Sequence, residues 1–84
     1  MSKITNKEFN EAVGRIIKAE RTLAELTQAQ LAKMIGVSKQ LVEKYETGST
    51  GISAYSLVRI AEALGLEPSK LLTGNFIMVG DANG

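Results

Sequence analysis

The chain has no cysteine and no histidine. Without cysteine there is no disulfide framework and no thiolate metal site. Without histidine the usual general base, the usual metal ligand and the neutral-pH switch are gone. An enzyme built on this chain would have to work with carboxylates, lysine or hydroxyls. The sequence offers no carboxylate pair in an apolar context, no glycine-rich phosphate loop and no nucleophile elbow, so the expectation is no catalysis, no metal and no cofactor. Charge of one sign is also missing. Ten Lys and Arg against nine Asp and Glu leave a net charge of +1, so any nucleic-acid partner must be argued from where the charges lie. No apolar run approaches the ~20 residues of a membrane span, and no basic, apolar, small-residue leader is present. The expectation is a soluble cytoplasmic chain with no membrane partner.

What is present is ordinary globular material. Of 84 residues, 44% are hydrophobic, 23% charged and 5% aromatic, and the length bounds the chain to one domain. A chain this size buries about 60–65% of the surface its unfolded form exposes, enough for modest stability.

Helix punctuation is dense. Thr5 and Glu8 form a capping-box pattern, in which each side chain bonds the other residue's backbone N–H. Phe9, Val13, Ile16 and Ile17 follow as an apolar stripe, predicting a helix from about Lys7 to Leu23. Thr27 and Gln30 repeat the box for a short second helix whose Leu31, Ala32 and Ile35 face inward. Gly36 ends it, because glycine adopts the left-handed C′ conformation at little cost. Val37 plugs the core and Ser38 caps a third helix, with Val42 and Tyr45 buried at i, i+3. "ETGSTGIS" is a loop. Ser53 caps a fourth helix carrying Leu57, Ile60, Ala61 and Leu64, closed by Gly65. Pro68 marks a short fifth helix before Gly74, and Leu66, Leu71 and Leu72 finish the core. Phe76 to Val79 reads equally as a short strand or a packed coil. The expected organisation is an all-α, five-helix bundle over residues 1–74 with a tail at 75–84.

Helices two and three carry the functional signal. Crossing two helices steeply needs a small residue where they meet, a sharp turn, and apolar residues locking one to the other. Ala32, Gly36 and the set Leu31, Ile35, Val37, Val42 and Tyr45 supply these. This is the helix-turn-helix pattern, which holds its second helix proud so that the N-terminal end can enter the DNA major groove. Glutamine can bond adenine N6 and N7 with both ends of its amide, and lysine suits guanine O6 and N7.

"LTQAQLAKMIGVSKQLVEKYETG" followed by "LVRIAEALGLEPSKLL" resembles the phage repressor and Cro family, also called the XRE-type helix-turn-helix family. The likeness runs from about Phe9 to Leu72. It implies a sequence-specific regulator of double-stranded DNA, a repressor binding a palindromic operator as a homodimer. Ser38, Lys39, Gln40, Leu41 and Lys44 would then face base edges, Leu41 meeting a thymine methyl if it points outward. Thr27 and Gln28 at the start of helix two, with Thr47, Ser49 and Thr50, would meet phosphates. Arg21 and Glu46 would form an ion pair tying helix one to the end of helix three.

The plainer readings stand beside these. Lys39, Gln40 and Lys44 make an ordinary solvated face, Gln28 an ordinary helix-start residue, and Arg21–Glu46 an exposed pair worth almost nothing. A protein-interaction module, or the antitoxin of a toxin pair, is the alternative function. Two departures from the family pattern bear on affinity. Glu25 stands where glycine is common, and the loop "STGIS" has no charge where basic residues are usual. Affinity for DNA rests largely on neutralised phosphates, so weaker binding per subunit, or reliance on Lys3 and Lys7, is expected. Helix five and Phe76–Val79 are candidate dimer surfaces; Phe76 and Ile77 packing back on their own subunit is the other reading.

Overall fold

The computed structural model describes residues 4–73. Five helices follow one another: α1 Asn6–Leu23, α2 Gln28–Ile35, α3 Lys39–Thr47, α4 Ala54–Leu64 and α5 Lys70–Thr73. No strand occurs among the described residues, and the segment Phe76–Val79 lies outside them. The capping boxes of Thr5 with Glu8 and Thr27 with Gln30 are both formed. Ser38 and Ser53 cap α3 and α4 by accepting from Leu41 N–H and Ser56 N–H. Pro68 does not open α5. It sits in the turn before it, where its carbonyl accepts from Leu71 N–H at 3.1 Å.

Four helices end in one backbone device. In α2, Val37 N–H reaches back to the Ala32 carbonyl while Gly36 N–H bonds that of Lys33, with Gly36 in the left-handed region at φ +75°. The ends of α3 at Gly48 and of α4 at Gly65 repeat the pattern. At the end of α1 the left-handed residue is Glu25, at φ +59°. Its N–H bonds the Thr22 carbonyl and the following Leu26 N–H bonds that of Arg21. This is the Schellman closure, which satisfies carbonyls the helix leaves over. At Glu25 it is made against the preference of an L side chain.

One core joins the elements. Val13 and Ile17 of α1, Leu31, Ala32 and Ile35 of α2, Val42 and Tyr45 of α3, Ile60 and Ala61 of α4, and Leu71 of α5 form it. Val37, Leu57, Leu64, Leu66 and Leu72 pack against its edge. The predicted stripe of α1 overreaches at its start, because Phe9 is 37% exposed. Periodicity says which side of a helix faces inward, whereas burial depends on how far its partners extend along it.

A candidate nucleic-acid interface

α3 is gripped at its rear and free at its front. Val42, Tyr45 and Glu46 are buried, whereas Ser38, Lys39, Gln40, Lys44 and Thr47 are exposed. The grip begins with a close helix approach. A methyl group added at Gly14 of α1 would lie 2.6 Å from the Glu46 carbonyl oxygen and closer still to that of Tyr45. Gly48, at φ +79°, faces the Glu11 backbone in the same way, with a Cβ there meeting Glu11 Cα at 2.6 Å. Two glycines therefore let the last turn of α3 press against the first half of α1.

Beside that contact lies a polar node. Arg21 Nε donates to Glu46 Oε2 at 2.6 Å and Nη2 to Oε1 at 3.1 Å, a bidentate pair. Arg21 Nη1 donates to the Leu26 carbonyl at 2.7 Å, and Gln28 Nε2 to Glu46 Oε1 at 2.9 Å. The side chains of Arg21 and Glu46 are only 12% and 3% exposed, so this is not the solvated surface pair of the plainer reading. The hydrogen bond with Glu46, opposed by burial and aided by the carboxylate's charge, raises the Arg21 pKa above its ordinary range. Because the folded pKa is raised, the contribution of the Arg21 charge is lost only as pH rises through the arginine range. The Arg21 guanidinium and the Glu46 carboxylate thus together tie the end of α1, the turn after it, the first residue of α2 and the end of α3.

The candidate phosphate residues are arranged unevenly. Thr27 is occupied as a cap on both sides: its hydroxyl accepts from Gln30 N–H and its own N–H donates to Gln30 Oε1. The next two N–H groups, of Gln28 and Ala29, open the helix and have no intrahelical acceptor. The Gln28 amide turns inward to Glu46. Thr47 and Ser49 gather their hydroxyls at the Lys44 carbonyl, at 3.3 and 3.5 Å, and lie 3.2 Å from each other. Thr50 is half-buried.

At the front of α3, Ser38 Oγ accepts from Leu41 N–H at 3.1 Å, and Lys39 and Gln40 follow it into solvent. Leu41 is half-buried and packs against the core, because its position on the helix falls nearer Val42 and Tyr45 than the exposed side. Gly14, the Leu26 carbonyl and the Gln28–Glu46 bond were not foreseen. A glycine in mid-helix, where it costs stability relative to alanine, is the one sequence signal that pointed to the first.

A helix-turn-helix family model matches residues 17–71, from the middle of α1 into α5. The chain belongs to the HTH_3 helix-turn-helix family. An uncharacterised HTH-type transcriptional regulator of Sinorhizobium fredii is 44% identical over 57 residues, 68% of this chain and 40% of that protein. The repressor protein C2 of Salmonella phage P22 is 32% identical over 65 residues, 77% of this chain and 30% of the repressor. The crystallised C2 repressor in complex with a synthetic operator superposes with a TM-score of 0.69 at 33% identity, covering 75% of this chain and 96% of that one. The restriction-modification controller protein C.AhdI of Aeromonas hydrophila superposes with a TM-score of 0.71 at 30% identity, covering 73% and 92%. This HTH_3 chain spans less than half the length of the curated relatives it matches.

Proposed function

We propose that the chain is a sequence-specific double-stranded DNA-binding module of a transcriptional regulator, working as a repressor by occupying an operator. The observation that carries this reading is the division of α3. Its rear is locked to α1 and α2 while Lys39, Gln40 and Lys44 stand uncovered on the side away from the core. A helix held in this way presents donors to guanine and a two-ended amide to adenine at the floor of the major groove. The N–H groups of Gln28 and Ala29 at the start of α2 suit a phosphate, aided by the helix dipole. Thr47, Ser49 and Thr50 meet the backbone on the far side if their hydroxyls turn outward. One such module buries about 600–1,000 Å² on DNA, so useful specificity calls for two, as a homodimer on a palindrome with half-sites about 34–36 Å apart. The kinship with repressor C2 supports the repressor reading.

Selection of random duplex DNA by the purified protein at near-physiological salt tests it. A two-fold symmetric motif is expected. Recovery of unselected DNA by a folded protein removes sequence-specific binding as the primary role.

A further inference from the structure

The exposed side of α3 contains one acidic residue that the proposed readers leave unexplained. At about 100° per residue, Glu43 falls in angle between Lys39 and Gln40, one turn further along the helix and ~6 Å beyond Lys39 along its axis. Its side chain is 47% exposed, close to the 51% of Lys39. The residue as a whole is half-buried where Lys39 and Gln40 are exposed, but its carboxylate end is open on the same face. Yet a carboxylate there opposes DNA phosphates, in a module whose following loop carries no compensating charge.

Helix stability does not account for it. Lys39 Nζ and Glu43 Oε2 are 3.9 Å apart, an exposed i, i+4 pair. Such pairs are worth little, and with lysine N-terminal to glutamate the order is the less favourable one for a helix. The pair opens easily. Opened in the major groove, it offers a cationic donor and an acceptor-only carboxylate side by side. That is the complement of a G·C pair, which presents guanine O6 and N7 as acceptors and cytosine N4 as donor.

We propose that Glu43 is a specificity-determining residue that accepts from a cytosine N4 amino group in the major groove while Lys39 donates to guanine. This rests on the DNA-reading function proposed above. Against thymine O4 or guanine O6 the same carboxylate meets acceptors, so it also rejects wrong bases, a selection by repulsion as well as attraction. The residue trades general affinity for discrimination.

The test compares wild type, Glu43→Ala and Glu43→Gln in random-duplex selection, followed by anisotropy titrations on the selected site and on a scrambled duplex. Matched thermal melts by circular dichroism establish that all three fold alike. The wild-type half-site is expected to contain a cytosine whose preference, on the order of tenfold to a hundredfold, collapses in Glu43→Ala while the other positions persist. Binding to scrambled DNA should tighten several-fold in the same variant. Glu43→Gln should move the preference at that position towards adenine, since an amide pairs with N6 and N7. A motif unchanged in both variants, with all duplexes bound uniformly tighter, overturns the role of Glu43 and leaves the DNA-reading function standing. No motif from folded wild-type protein overturns both.

Discussion

The two ends of α3, a helix of nine residues, are held in opposite ways. At the rear, Tyr45 is in the core, Gly48 lies against α1, and Glu46 is bonded by Arg21 and Gln28. At the front, Ser38 caps its own helix, and Lys39 and Gln40 reach into solvent. Orientation and reading are thus separated along one short helix. Apart from the Ser38 cap, stability resides in the handle and recognition in the tip, so changes at the handle or at Lys39 and Gln40 should leave the other's measurement almost untouched.

The largest test of that separation is Glu46→Ala. It strips a bidentate, nearly buried partner from Arg21 and an acceptor from Gln28, and breaking such a pair from one side costs about 3–5 kcal/mol. Chemical denaturation should show the loss, and DNA binding should fall only with the folded fraction. Gly14→Ala should come next. Alanine favours helix by about 1 kcal/mol over glycine, but its methyl would meet the carbonyls of Tyr45 and Glu46. Overpacking of this kind costs about 1–3 kcal/mol, so the net sign is destabilising. A more stable Gly14→Ala protein would mean that α1 and α3 do not approach as closely as described.

At the front, Ser38→Ala removes the cap bonded to Leu41 N–H and should cost about 1 kcal/mol in the same melts. Glu25→Gly relieves a left-handed residue in the turn between α1 and α2. Glycine's greater freedom in the unfolded chain offsets part of this gain, leaving stabilisation of up to about 1 kcal/mol. The smallest expected change in stability comes from Lys39→Ala with Gln40→Ala, within about 0.5 kcal/mol. This is also the sharpest contrast, since the double variant should lose site preference in binding titrations while melting like wild type.

Much of this was legible along the chain because its helix boundaries are local chemistry. Thr5, Thr27, Ser38 and Ser53 find their partners within three residues, and Gly36, Gly48 and Gly65 close helices through bonds to the turn just before them. Spacing identified Ile17, Leu31, Val42 and Ile60 as core for the same reason: a helix converts sequence interval into a side. Phe9 shows the limit: its interval placed it in the apolar stripe, yet it is 37% exposed because neighbouring helices decide how much of a side is covered.

The candidate site divides along the same line. That a short helix with a polar front would follow a tight glycine turn is written locally, since caps, turns and apolar periodicity act over a few residues. Only the tertiary structure decided that Gly14 is a contact surface, that the Gln28 amide is turned to Glu46, and that Arg21 and Glu46 are shielded from water. Those depend on distances between residues 18 to 32 positions apart, which no local preference encodes and only the packing of α1 against α3 sets.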